Sequence, residues 1–174
     1  MWENRSFSLA KDSNICIDIR NPLSDFEIRE KVILNPGEYV PMEENSHQSP
    51  CHFIITWEGN KKKSFIEVLD GTATKNAIKK KLKKSKAKEK SGAGIPRDFT
   101  SDDSGTFVPI LAMECRGVEP YAFHPMGNEF IVISEGGNTF EEDVDLSEGD
   151  WADYDMENNN SLSICEFESK FITL

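Results

Sequence analysis

Apolar and polar residues alternate in several short runs along the chain, and this period of two is typical of half-buried β-strands. In ICIDIR, residues 15–20, isoleucine at every second position predicts one buried face. HFIIT and SFIEVL flank WEGNKKK, where Gly59 tolerates a positive φ, so residues 52–69 are predicted to form a β-hairpin. FVPILAMEC and SICEFESKFITL predict further strands, and Pro109 places the first of them at a sheet edge or bulge.

The fold class follows from these runs. Outside one lysine-rich stretch, no segment shows the sustained 3.6-residue apolar repeat of an amphipathic helix. We therefore predict an all-β fold, with meandering antiparallel sheets that form a compact sandwich or barrel-like domain. The length of 174 residues suits one such domain, residues 1–174.

Residues 72–105 are predicted to be a flexible insertion within this domain. The run KNAIKKKLKKSKAKEK, residues 75–90, holds nine lysines and one glutamate, with few apolar residues to build a buried face. It leads into SGAGIPRDFTSDDSG, which is rich in Gly, Ser and Asp. Because lysines repel one another and little apolar surface is available, we expect this insertion to be disordered.

Charge is distributed unevenly. The lysine run contributes +8 to a net charge of −11, which leaves −19 for the remainder of the chain. Between Arg116 and Lys170 there is no lysine or arginine. This distribution, an acidic body with one basic segment, indicates which partners the protein could bind and does not indicate its fold. The first residues are charged and no long apolar run occurs, so we predict a soluble protein of the cytoplasm, the nucleus or both.

The most acidic stretch is DVDLSEGDWADYD, residues 143–155, which holds six carboxylates. It fails as an EF-hand calcium loop, because Glu148 stands where that loop needs glycine. We predict instead a single turn that Ser147 caps, with Asp150 three residues on and with both aromatic residues turned inward. The residues predicted to bind a partner are Glu141, Glu142, Asp143, Asp145, Trp151 and Tyr154.

No pattern in the chain favours catalysis or a cofactor. The four cysteines lie far apart without a CxxC pair, so we predict buried thiols on strands rather than disulfides or a zinc knuckle. His47, Cys51 and His52 are the one local group that could form a residual metal site, and their spacing fits no common zinc pattern. The histidines and cysteines also lack a signature of nucleophilic catalysis. We predict a protein that is not an enzyme, with no catalytic residues, metal ligands or cofactor.

The C-terminal half resembles a known family. ECRGVEP (114–120), an aromatic residue followed by HP, FEEDVDLSEGDWADYD and the terminal SICEFESKF follow in order from about residue 107 to 171. This half resembles the eukaryotic CXXC-motif-containing zinc-binding proteins. The resemblance implies a compact all-β fold, one zinc held by two CxxC knuckles, and action through protein binding rather than catalysis.

The N-terminal half departs from that family pattern. The resemblance places the first knuckle at Asn21–Ser24, NPLS, and the second at Trp57–Asn60, WEGN. All four thiolates are missing there. Since Asn-Pro and Gly-Asn favour turns, the chain can keep both reversals without metal.

Two functions are compatible with these features. We favour a protein-interaction or adaptor protein without zinc, whose acidic face docks one or more protein partners, with basic proteins among the candidates. The alternative is a nucleic-acid-associated or nuclear protein that uses the lysine-rich loop to contact phosphates or as an import signal. That loop comprises Lys79, Lys80, Lys81, Lys83, Lys84, Lys86, Lys88 and Lys90.

Overall fold

The computed structural model describes residues 4–41, 47, 50–85 and 94–174. Within these ranges the chain forms twelve strands, one α-helix and one 3-10 turn. The strands are β1 (Asn4–Leu9), β2 (Ile15–Asn21), β3 (Ser24–Leu34), β4 (Phe53–Ile55), β5 (Ser64–Leu69), β6 (Phe99–Thr100), β7 (Ala112–Arg116), β8 (Glu119–Phe123), β9 (Phe130–Ser134), β10 (Thr139–Phe140), β11 (Trp151–Asp155) and β12 (Asn160–Ile164). Helix α1 (Gly71–Ser85) lies between β5 and β6, and the 3-10 turn (Ser101–Asp103) follows β6.

The described strands form four antiparallel sheets, in the orders β10-β9-β1-β6, β3-β2-β8, β4-β5-β7 and β11-β12. Neighbours in sequence form hairpins, such as β2-β3 and β4-β5, whereas β1-β9 and β2-β8 join distant parts of the chain. None of these described sheets closes into a barrel. The predicted all-β fold class is confirmed.

Strand β2 is the centre of its sheet, and the isoleucine alternation correctly predicted its inner face. Ile15, Ile17 and Ile19 are at most 1% exposed, and each fully buried side chain of this size contributes roughly 1.5–3 kcal/mol. The edge strand β3 carries a bulge at Lys31, whose φ is 55° and whose backbone N–H donates to Asp18 Oδ1 at 2.8 Å. The carboxylate thereby takes up a donor that the irregular strand pairing leaves free.

For the other predicted strands, the observed first and last residues agree with the predicted ones to different degrees. The hairpin at residues 52–69 forms as β4 and β5, with Phe53 opposite Ile66 and Gly59 at φ 77°. FVPILAMEC forms a strand only from Ala112, and β7 does lie at a sheet edge. SICEFESKFITL contributes only its first residues to β12, which ends at Ile164. The predictions therefore found the elements better than their ends.

Two groups of buried side chains hold the sheets together. The first core lies among β1, β9 and the β11-β12 hairpin, and comprises Phe7, Phe130, Val132, Val144, Leu146, Trp151, Leu162 and Ile164. The second core lies among β2, β3, β5 and their loops, and comprises Ile15, Ile17, Ile19, Leu34, Trp57, Ile66 and Val118. Phe123 of β8 packs against both cores and so connects them.

The lysine-rich run is not the irregular segment that the sequence predicted, because residues 71–85 form helix α1. Asp70 accepts a hydrogen bond from Ala73 N at 2.7 Å and so caps the helix start. Thr74 is buried, and Ala77, Ile78 and Leu82 are half-buried at helical spacing. Among the described residues, no helix is long and apolar enough to span a membrane.

The second part of the predicted insertion, residues 94–105, is also ordered into the fold. Strand β6 pairs with β1, and the ring of Phe99 stacks on Phe7 with centroids 4.8 Å apart. Arg97 donates to both carboxylate oxygens of Asp103 at 2.7 and 2.8 Å. Parts of residues 72–105 thus have regular structure that the sequence did not predict, while residues 86–93 lie outside the described residues. The flexibility of this insertion stays a prediction.

Candidate functional site

The first candidate site is the acidic segment, residues 141–153. Three apolar side chains, Val144, Leu146 and Trp151, anchor it in the first core. The carboxylates between these anchors are all exposed: Glu141, Glu142, Asp143, Asp145, Glu148, Asp150 and Asp153. A fixed backbone therefore presents seven negative charges to solvent within thirteen residues.

Two carboxylates also shape this loop. Asp145 Oδ1 accepts the Ser147 backbone N–H at 2.9 Å, and hydrogen bonds from Ser147 lower the pKa of Asp145. Asp150 Oδ1 accepts the Glu166 backbone N–H at 2.8 Å. The prediction that Ser147 caps a turn is therefore wrong. The side chain of Asp145 accepts a hydrogen bond from the backbone of Ser147, and no helical turn follows Ser147.

Trp151 and Tyr154 do not turn inward together, contrary to the sequence prediction. They lie on strand β11, where residues three apart point to opposite faces. Trp151 is 8% exposed and Tyr154 is 48% exposed. Trp151 is thus structural, while Tyr154 is an exposed aromatic ring next to the acidic segment. Met156, 77% exposed, adds a second apolar side chain nearby.

Asp155, at the end of β11, is a buried carboxylate that sequence reasoning did not single out. Its oxygens accept hydrogen bonds from the side-chain amides of Asn158 at 2.8 Å and Asn138 at 2.9 Å, and from the backbone of Glu157. These bonds, led by the one from Asn158, lower its pKa to about 2. The contact with Asn138 joins residues seventeen positions apart, and no local sequence pattern predicts it.

The second candidate site is the basic face of α1. Lys79, Lys80, Lys81, Lys83 and Lys84 are all exposed. Lys81 Nζ donates to the carbonyl of Leu174, which joins the helix to the end of the chain. Lys86, Lys88 and Lys90 lie outside the described residues.

The third candidate site is a pair of turns where the resemblance places the two zinc knuckles. Asn21–Ser24 is the tight turn between β2 and β3, closed by a hydrogen bond from Leu23 N to Asn21 Oδ1 at 3.1 Å. Residues 57–60 form a turn between β4 and β5, in which Asn60 N donates to Trp57 O at 3.1 Å. Both predicted reversals therefore exist.

A family model matches the chain along nearly its whole length. The family model described as CXXC motif containing zinc binding protein, eukaryotic, matches residues 5–172. The chain belongs to this family. The resemblance read from the C-terminal half is thereby confirmed.

Relatives of this family member match over shorter stretches. UPF0587 protein CG4646 of Drosophila melanogaster is 54% identical over 76 residues, or 44% of this chain and 46% of the relative. The CXXC motif containing zinc binding protein of Homo sapiens is 34% identical over 76 residues, or 44% of this chain and 47% of the relative. These matches span slightly less than half of each relative.

Two solved structures share the fold of this family member. A hypothetical protein from Plasmodium falciparum superposes with a TM-score of 0.70 at 21% identity, covering 94% of this chain and 88% of its own. The structure titled Crystal Structure of C1orf123 gives 0.69 at 20% identity, covering 94% and 87%. At this identity the likeness establishes the fold alone.

The side chains of the two turns do not fit the zinc that the family name implies. Zinc sites in proteins are built from thiolates, imidazoles and carboxylates. The four positions that the resemblance assigns to ligands hold Asn21, Ser24, Trp57 and Asn60, which are all neutral and carry neither sulfur nor imidazole. Within the described ranges, no group of three or more His, Cys, Asp or Glu residues could hold a metal ion.

The group of His47, Cys51 and His52, which the sequence offered as a residual metal site, does not fit a metal ion either. His52 Nδ1 accepts the Val68 backbone N–H at 2.8 Å, and its Nε2 lies 3.0 Å from the carbonyl of Pro36. Both ring nitrogens are therefore engaged. Cys51 is 3% exposed, whereas His47 is exposed. The ring of His52 instead packs on Tyr39, which gives it a structural role.

Three of the four thiols have a raised pKa. Burial raises the pKa of Cys16 and Cys51, and it raises the pKa of Cys115 to about 11. These three thiols are therefore protonated at neutral pH, whereas a reactive nucleophile is a thiolate. Cys165 is exposed. The prediction of buried thiols on strands holds for Cys16 of β2, whereas Cys51 is buried outside a strand, Cys115 of β7 is half-buried and Cys165 is exposed.

Proposed function

We propose that this protein acts by binding a basic segment of a protein partner through the acidic segment, without catalysing a reaction. The observation that carries the proposal is the row of seven exposed carboxylates held by three buried anchors. Because the backbone is fixed before binding, few degrees of freedom are lost when the partner docks. A field of one sign also accelerates encounter with an oppositely charged partner.

Two exposed apolar side chains support this proposal. Tyr154 and Met156 lie directly after the acidic segment. Interfaces combine charged rims with aromatic and methionine contacts, and such residues provide much of the binding energy. A partner segment that alternates basic and apolar residues would therefore fit this surface.

The absence of an enzymatic role is part of the proposal. The family name describes zinc binding and no reaction. A depression of about 150 Å³ is lined by Ser8, Leu9, Pro96, Arg97, Asp98 and Ile110. It is smaller than the usual ligand site of roughly 300–1,000 Å³. Its one cationic side chain, Arg97, is already paired with Asp103.

The alternative proposal is backbone-directed binding of nucleic acid by α1. The six exposed lysines of this helix, Lys75 and the five of its basic face, favour it. The net charge of −19 outside the lysine run opposes it, and the run holds no aromatic residue on which a base could stack. Nucleic-acid binding by α1 would therefore be weak and steeply dependent on salt.

A set of charge variants distinguishes the two proposals. In the acidic variant, Glu141 and Glu142 become Gln while Asp143 and Asp145 become Asn, which keeps an acceptor for Ser147 N. In the lysine variant, five of the six described lysines of α1 become Gln: Lys79, Lys80, Lys81, Lys83 and Lys84. The control neutralises four exposed carboxylates elsewhere: Glu30, Glu38, Asp98 and Asp102. It reproduces the net-charge change of the acidic variant without touching its segment.

Each variant is tested by affinity purification with mass spectrometry, and by titration of a labelled DNA duplex at several salt concentrations. We expect the acidic variant to lose partners that the control and lysine variants retain. Loss of a nuclease-sensitive association in the lysine variant alone would replace the protein-binding proposal by the nucleic-acid one. If all variants retain every partner, the interface is apolar, and the exposed side chains of Leu23, Phe26 and Ile33 at edge strand β3 become its location.

A further inference from the structure

The two turns that correspond to the family's zinc knuckles are joined by one carboxylate. Glu27 of β3 receives two hydrogen bonds, from Asn21 Nδ2 to Oε1 and from Glu58 N to Oε2, both at 3.2 Å. Asn21 belongs to the first turn and Glu58 to the second. We propose that Glu27 takes the structural place of zinc in this chain, and that the link between the turns is metal-free.

One donor in this link, Asn21, also closes its own turn. The Asn21 side chain is 5% exposed, and its Oδ1 accepts Leu23 N while its Nδ2 donates to Glu27. Asn21 thus closes the first turn and orients the carboxylate in one arrangement. The Glu58 N–H that binds the other oxygen lies at the second position of the 57–60 turn. One carboxylate therefore holds both turns, as a shared metal ion does in a knuckle pair.

Trp57 occupies one of the positions that hold a zinc-binding thiolate in the family pattern. Trp57 stands where the resemblance places a thiolate, and its side chain is 1% exposed in the second core. Its Nε1 donates to the carbonyl of Gly117 at 2.7 Å, which connects the second turn to the loop between β7 and β8. The guanidinium of Arg29 lies 5.9 Å from the ring centre. The indole fills space with apolar contacts where the family pattern would have a ligand.

This arrangement changes what the fold requires. A zinc knuckle needs deprotonated ligands, metal supply and a reducing environment, and a chelator unfolds it. The link through Glu27 needs only hydrogen bonds and a packed indole ring. The stability of this family member is therefore independent of zinc and of chelators.

The test compares Glu27→Ala with Glu30→Ala, which removes an exposed carboxylate from the same strand. Three quantities are measured: zinc per chain by elemental analysis, Tm with and without EDTA, and hydrogen exchange at the Glu58 amide. We expect no bound zinc and no effect of EDTA on the wild-type Tm. Glu27→Ala should lower Tm by about 2–4 °C and accelerate exchange at Glu58 about tenfold, while Glu30→Ala should change neither.

A second variant covers the case in which Glu27→Ala does not fold. Glu27→Gln keeps the volume and one acceptor oxygen but turns an amide N–H toward a donor, so it should give the same changes to a smaller extent. About one zinc per chain together with a lower Tm in EDTA would overturn the proposal. Exchange at Glu58 that is equal in wild type and both Glu27 variants would overturn it as well.

Discussion

Carboxylates serve opposite purposes in the acidic segment and in the link between the two turns. In the acidic segment they face solvent, and apolar neighbours such as Val144 and Leu146 fix the backbone. In the link, both oxygens of Glu27 accept hydrogen bonds and thereby connect two loops. The difference lies in the donors that surround each group, because a carboxylate stabilises a fold only where N–H groups are positioned to meet it.

The largest expected effects test the statement that both regions depend on a buried indole. Trp57→Ala and Trp151→Ala should each lower the free energy of unfolding by ~3–5 kcal/mol, because each removes a large side chain from a core. Denaturation with urea measures both. Trp57→Phe should be less severe, at ~1–3 kcal/mol, since it mainly leaves the Gly117 carbonyl without its donor. A loss below ~1 kcal/mol for Trp151→Ala would show that the acidic segment has another anchor.

A smaller effect tests whether the inward carboxylate Asp155 behaves as Glu27 does. Its folded pKa of about 2 lies below the ordinary value of 3.8, so its stabilisation is present above pH 4 and is lost as pH falls toward 2. Asp155→Ala should therefore lower Tm at neutral pH, and the gap to wild type should narrow between these two pH values. A gap that is constant with pH would mean that the hydrogen bonds do not depend on the charge of Asp155.

The smallest effect concerns the outward carboxylates. The acidic variant should change the free energy of unfolding by less than ~0.5 kcal/mol per site, because Glu141, Glu142 and Asp143 are exposed away from caps and cores, and Asn at position 145 keeps the acceptor for Ser147 N. Thermal unfolding of this variant and of the matched control measures the difference. A marked destabilisation confined to the acidic variant would place these carboxylates among the structural ones and weaken the binding proposal.

Period-two alternation predicted part of the strands, and β1, β3 and β9 were not predicted from it. It identified the inner face of β2 and the hairpin at residues 52–69, whose Gly59 has the positive φ that the turn needs. Strand pairing was not predictable in the same way. The contacts of β1 with β9 join residues more than a hundred positions apart, and no local pattern encodes them.

Helix α1 shows why the lysine run was misinterpreted. Repulsion between lysines was weighted more heavily than three helix signals: the Asp70 cap, the spacing of Thr74, Ile78 and Leu82, and basic residues in the last turn. Trp151 and Tyr154 were misinterpreted for a related reason. Their spacing of three was assigned to a turn, although alternation places them on a strand with opposite faces.

The candidate sites were predictable only to the extent that they are local. The exposed carboxylates of the acidic segment follow from composition, since so many charges cannot be buried without cations. Glu27 gave no signal, because it contacts Glu58 across thirty-one positions and resembles any other polar residue of a strand. The sequence shows that both turns lack thiolates. The hydrogen bonds of Glu27 and Trp57 that we propose in place of a zinc site are visible only in the three-dimensional structure.

We expect the bulge at Lys31 to protect this protein against aggregation. Strand β3 is eleven residues long, lies at the edge of its sheet and exposes Phe26 and Ile33, features that invite pairing with the edge of another molecule. At φ 55°, Lys31 interrupts that edge and turns its N–H inward to Asp18. An incoming strand would therefore meet a broken row of hydrogen-bonding groups and a positive charge, both of which disfavour edge-to-edge pairing.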